Sequence, residues 1–340
     1  MKKLVTLLLV AFASTAVVAQ NQPYMTKSFS GKNINRIVSE TSGGNITVEP
    51  STSPRVDVYV NKNGKNKNLS DEEIKARIEK DYDLRVDVEN GTLTATAKPK
   101  HSFTNWNNAL SISFHIYSPA NVSSKLTSSG GNIQLSGLSG DQDFTTSGGN
   151  LELNDLSGKI KGATSGGNIY LKSCKDYVDL ATSGGNIMGK SSSGEMRLST
   201  SGGSIQLKDL DGNIKATTSG GNVDVESVKG ELKAYTSGGN VSLQKLDCSV
   251  EAGTSGGNID VAIEKPGKYV TIKNSAGRVR LSIPKNTGMD LNLSAMRIST
   301  QNLQNFSGSN NKEEIKGKVN GGGIPVTVES SGGNLDVVFD

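Results

Sequence analysis

Among its 340 residues this sequence has only two cysteines, two histidines, one tryptophan and 5% aromatic residues. Each shortage removes a class of chemistry. A hydrolase triad needs a base, and the two histidines are poorly placed to supply one. His115 takes the outward phase between Phe114 and Ile116, and His101 lies in the loop from Pro99 to Asn108. Two histidines and two distant cysteines do not make a four-ligand zinc set either, and no cofactor motif stands in for them. No charge of one sign prevails: Lys and Arg total 37 against 33 Asp and Glu, mixed along the chain, so neither nucleic acid nor an anionic membrane surface is implied as a partner.

Long apolar runs are also missing. Beyond the first residues no segment approaches the ~20 apolar residues of a membrane-spanning helix. The start itself reads as an address: Met1-Lys2-Lys3, an apolar stretch from Leu4 to Ala13, and Val17-Val18-Ala19 as a small-residue cleavage site. That layout predicts a signal peptide over residues 1–19 and a mature chain from Gln20, exported to the periplasm or outer surface.

What is abundant is glycine, 40 residues against 8 prolines, and it is placed periodically. Ser-Gly-Gly-Asn followed by an aliphatic residue begins at Ser129, Ser147, Ser165, Ser183, Ser219, Ser237 and Ser255, with Ser201-Gly202-Gly203-Ser204 as a variant in step. The spacing is 18 residues throughout; further copies begin at Ser42 and Ser331. Within a unit the aliphatic residues alternate, as in Ile205, Leu207, then Ile214, Ala216 and Thr218, which marks strands with one buried face. A second turn recurs at Ser157-Gly158, Asp211-Gly212 and Lys229-Gly230. One such unit buries too little to offset the cost of ordering it, so equal units must stack, like on like. The predicted fold is all-β: a parallel β-solenoid, a right-handed β-helix, with 18-residue coils. Gly and Asn are expected at the corner because they accept positive φ, with side-chain amides of Asn132, Asn150, Asn168 and Asn186 bonded along the axis. Cys174 and Cys248 then fall four coils apart, ~19 Å at ~4.8 Å per strand, beyond disulfide reach; two unpaired packing thiols are expected.

The outward positions include the column Asp143, Lys161, Asp179, Arg197, Lys215, Lys233, Glu251, a solvated wall of mixed sign. The buried-phase column Thr146 to Thr254 is expected to pack inward. Residues 20–50 hold the first strands. Residues 51–127 have a different texture: a capping box from Ser70 to Glu73 opening a short helix with Ile74 and Ile78 on one face, an Asn90-Gly91 hairpin turn, and alternating Leu110, Ile112, Phe114 and Ile116. This stretch is expected to be an α+β elaboration capping one end. The regular array runs over 128–283, and 284–340 forms irregular coils and a second cap.

The early Gly-Gly-Asn-Ile-Thr-Val strand, the strand ending Ile116-Tyr117-Ser118-Pro119 and the serial Thr-Ser-Gly-Gly-Asn-Ile units resemble the bacterial putative-adhesin family of unassigned domain function, and are similar to head-domain adhesins of Bacteroidetes. The resemblance covers nearly the whole mature chain. It implies a β-solenoid at the cell envelope and supplies no catalytic residues. Gly-Gly before a strand is not a phosphate cradle, which opens a helix, and an unbroken run of coils leaves no loop for a glycan-cleaving carboxylate pair. The sequence therefore points to a non-enzymatic envelope scaffold, adhesin-like, with an envelope protein or glycan as partner; a polysaccharide-acting β-helix enzyme and an envelope-stress component are the alternatives. The aromatic cluster His101, Phe103 and Trp106 is the candidate sugar contact.

Overall fold

A strand with one apolar face is stable only when strands of the same kind flank it, and a fixed 18-residue spacing lets each strand lie on its own copy. The computed structural model, which describes residues 22–61, 69–101, 109–301 and 303–340, is built on that arrangement. The signal peptide expected over residues 1–19 lies outside the described residues.

The chain opens with β1 (Met25–Ser28), β2 (Arg36–Thr41), β3 (Ile46–Pro50), β4 (Arg55–Asn61), helix α1 (Asp71–Asp81), β5 (Tyr82–Glu89), β6 (Thr92–Pro99) and β7 (Ser111–Ser118). The regular stack begins at β8 (Ser123–Ser128) and β9 (Ile133–Ser136). It continues through β10 (Gln142–Thr146), β11 (Leu151–Asn154), β12 (Lys159–Thr164), β13 (Ile169–Lys172), β14 (Tyr177–Thr182), β15 (Ile187–Lys190) and β16 (Ser193–Thr200). From β17 (Ile205–Thr218) through β18 (Val223–Tyr235), β19 (Val241–Thr254) and β20 (Ile259–Asn274), ladder pairing persists around the corners and each coil counts as one long strand. Last come β21 (Val279–Ile283), β22 (Met289–Thr300), β23 (Phe306–Asn310), β24 (Glu314–Val319) and β25 (Ile324–Phe339).

Pairing in the stack is parallel, with partners one repeat apart: Leu151 lies beside Ile169, Ile169 beside Ile187, and Val178 beside Met196. The inward residues form columns, such as Ile133, Leu151, Ile169, Ile187 and Ile205, each fully buried. The expected charged column stands outward on the other face, with Asp143 opposite Lys161 and Asp179 opposite Arg197.

Each coil has three corners, one more than the glycines reveal. Besides the Gly-Gly-Asn corner and the one at Gly158, Gly212 and Gly230, the chain turns at Asp155, Ser173, Ser191, Asp209, Ser227 and Lys245, all at φ between 52° and 61°. A short third side follows, carrying Leu138, Leu156, Cys174, Leu210, Val228 and Leu246 inward. Because polar residues here tolerate the left-handed region, only Gly137, in the first coil, marks the turn with a glycine.

The Gly-Gly-Asn corner itself differs from expectation in its cause. None of its residues in the regular stack adopts a left-handed φ. The second glycine is required because a Cβ on Gly167, Gly185 or Gly203 would sit within 2.0 Å of the carbonyl oxygen of the equivalent glycine one coil below. The asparagine ladder also runs differently: each side-chain Oδ1 accepts the backbone N–H of the residue above, Asn132 from Asn150 at 2.8 Å and Asn150 from Asn168 at 2.8 Å. Ser204 keeps the chain of bonds, its hydroxyl accepting the N–H of Asn222 at 3.1 Å. Inside the corner the threonine column is buried and satisfied. Thr218 Oγ1 donates to the Gly203 carbonyl one coil below at 2.7 Å and accepts the Gly221 N–H of its own corner at 3.4 Å; Thr146 to Thr254 repeat the pattern.

Both ends close by a fold-back. At the N-terminal end β6 and β7 form the outer parallel layer, while the earlier β2 and β3 lie between that layer and β8 and β9. Antiparallel β5, β4 and β1 then extend the two faces. Helix α1 starts with a complete Ser70–Glu73 capping box and buries Ile74 and Ile78, and β5 turns into β6 through Asn90 and Gly91, both at positive φ. At the other end β25 lies between β20–β21 and the outer β22, which is followed by the antiparallel β24 and β23.

Candidate functional site

Outward side chains inherit the register of the stack, so residues 18 apart become neighbours at ~4.8 Å. On the side formed by β13, β15 and the first parts of β17, β18 and β19, they enclose a solvent-open groove of about 930 Å³. At ~4.8 Å per coil it runs ~19 Å along the axis. Its central column reads Tyr170, Met188, Gln206, Asp224, Ser242; the column beside it reads Lys172, Lys190, Lys208, Glu226, Gln244.

The charges of the groove are unevenly matched. Glu226 is clamped by Lys208 at 3.0 Å and Lys245 at 2.6 Å, and the hydrogen bonds from Lys245 and then Lys208 hold its carboxyl down at about 2. Asp224 is half-buried, and burial pushes its carboxyl up. Lys172 and Lys190 are exposed neighbours in register and have no ion-pair partner among the described residues. The sequence showed a mixed-sign wall on the opposite face; three lysines at the same 18-residue phase, 172, 190 and 208, were the signal for this one.

Of the aromatic cluster read from the sequence, only His101 falls within the described residues. Phe103 and Trp106 lie outside the described residues, and His101 is exposed, its Nε2 3.4 Å from Asp81 Oδ1. His115 stands on the outer face of β7, its ring stacked on Tyr117 with centroids 4.3 Å apart and its Nε2 3.2 Å from Glu49 Oε1. The Arg55 guanidinium covers the Tyr117 ring at 3.6 Å. Cys174 and Cys248 are buried free thiols, which burial pushes up to about 11 and about 12, far from the thiolate needed for reactivity. Among the described residues no helix is long and apolar enough to cross a membrane.

Residues 163–338 match the family model described as Toastrack DUF4097. No curated protein matches the chain. Several solved structures do, at low identity. A "putative cell adhesion protein" from Clostridium sporogenes is 9% identical, over 93% of this chain and 98% of that one, with a TM-score of 0.21. A "putative adhesin" from Bacteroides fragilis is 15% identical, over 92% and 96%, with a TM-score of 0.25. A "putative lipid binding protein" from Parabacteroides distasonis is 15% identical, over 93% and 96%, with a TM-score of 0.28.

Proposed function

Since the chain belongs to the Toastrack DUF4097 family, we propose that it is a non-enzymatic binding scaffold of the cell envelope, adhesin-like, exported through residues 1–19 and working as a rigid rod. One observation carries this reading. Stacking turns single outward residues into columns, and two adjacent columns make a groove five coils long from residues that no single coil could gather. A solenoid gives such surfaces reach and stiffness without any moving part. The coil is taken as right-handed, as parallel crossover connections almost always are. In this division of labour residues 51–127 and 284–340 close the ends and the regular array between them does the binding.

The test is accessibility on intact cells. Native protein should be cleaved by added protease or labelled by antibody under conditions that spare a periplasmic control. Protection on intact cells, with cleavage only after the outer membrane is opened, would sink the adhesive reading.

A further inference from the structure

Resting on the reading of the rod as a binding scaffold, we propose that the groove over β13 to β19 is a site for an extended acidic oligosaccharide laid along the rod axis, one sugar ring on Tyr170 and its carboxylates on Lys172 and Lys190. The two columns carry the argument. The central one, followed from Gln134 through Glu152, Tyr170, Met188, Gln206, Asp224 and Ser242 to Asp260, is apolar only at Tyr170 and Met188. In those same two coils the adjacent column places Lys172 and Lys190. An aromatic face beside paired cations suits a sugar ring that carries acid groups.

Charge complementarity decides the sign. Like charges directly opposite on neighbouring strands repel, and Lys172 and Lys190 have no carboxylate to relieve them among the described residues. Lys208 differs, being engaged by Glu226. An anionic ligand supplies the missing counter-charge at the first two lysines.

The far half of the groove decides the class. Beyond Met188 the outward side chains turn to Gln206, Asp224, Ser242 and Gln244, amides, a hydroxyl and a carboxylate, standing over the buried Leu207 and Val225. An acyl chain would bury those groups unpaired, whereas sugar hydroxyls donate and accept along the whole length. The Asp224 carboxylate has no hydrogen-bond or ion-pair partner among the described residues and is an acceptor waiting for such a donor. The length of five coils suits an oligomer better than one small molecule.

The experiment is calorimetric titration of the intact mature chain with an oligo-uronate and with a neutral glucan of equal length, at low and physiological salt. Saturable binding of the oligo-uronate alone is expected. Lys172→Gln/Lys190→Gln should weaken it about tenfold or more and flatten its salt dependence. Tyr170→Ala should weaken it about threefold to tenfold with the salt dependence kept. Lys215→Gln, on the opposite face, should leave it unchanged. These side chains are exposed or half-exposed, and an unchanged melting temperature confirms the fold. Absence of saturable oligo-uronate binding, equal binding of the neutral glucan, or binding indifferent to the lysine pair would overturn the proposal. So would a lysine-dependent preference for vesicles of anionic phospholipid. Such failure with the protein still labelled on intact cells would leave the scaffold reading standing, and protection on intact cells would remove that reading without touching the groove.

Discussion

The regular coils and the two end layers solve one problem in opposite ways. In the middle every strand pairs in parallel with its own copy, and the corner hydrogen bonds repeat from coil to coil. Thr146, Thr164 and Thr182 each reach a glycine carbonyl of the coil below at 2.8 Å. At the ends the partners are unlike, parallel and antiparallel ladders mix, and satisfaction lapses. Asn274 occupies the threonine position next to Thr254, yet its buried amide has no partner, nor has the hydroxyl of Ser330 beside it. Repetition thus supplies hydrogen-bond closure automatically along the inward threonine column, though the outward Thr217 hydroxyl is left unpaired, while an end must be composed residue by residue.

The contrast can be tested from its strongest point. Gly203→Ala drives a methyl to 2.0 Å from a backbone oxygen, and the coils must part; a loss of about 3 kcal/mol is expected in urea unfolding. Gly202→Ala, one residue earlier, meets its nearest neighbour at 3.6 Å and should change stability by no more than about 0.5 kcal/mol. Equal losses would show that the corner demands glycine for another reason. Thr218→Val leaves a buried carbonyl and N–H without their hydroxyl and should cost about 1–3 kcal/mol. Ser330→Ala, in the end layer, removes a hydroxyl that bonds nothing and should lie within about 0.5 kcal/mol of zero. Comparable costs at the two sites would erase the distinction between stack and end. The smallest effect belongs to the surface. Glu226 is held well below its unfolded value, so its ion pairs add stability above the unfolded carboxylate pKa and lose it as pH falls toward about 2. Glu226→Gln should therefore be slightly less stable than the parent at neutral pH and indistinguishable in strong acid, as followed by melting across that range.

Much of the stack was legible because its signals are local and repeated. The 18-residue spacing, the alternation of Ile205 and Leu207, and the Ser70 capping box each follow from side chains a few residues apart. The reason for Gly203 was not legible, because its constraint comes from the next coil and not from its own φ. Nor was the corner at Ser173, which a polar residue makes without glycine. The groove was missed on the same ground: Tyr170 and Lys190 are ordinary in sequence and become a surface only when adjacent columns are read together. The layer order at the ends stayed hidden because unlike segments carry no periodic clue to which lies outermost.

That layer order bears on how the molecule behaves under tension. Past the four-residue β1, a pull on the N-terminal side meets β2, which is held by ladders to both β6 and β8; a pull on the C-terminal side meets β25, held between β20–β21 and β22. Peeling either strand means opening two ladders together, while β1 outside β4 is held by a single ladder. Fraying, the usual way a stacked structure fails, is therefore confined at the N-terminal side to β1, and a pull beyond it, or on β25, draws on the body of the rod.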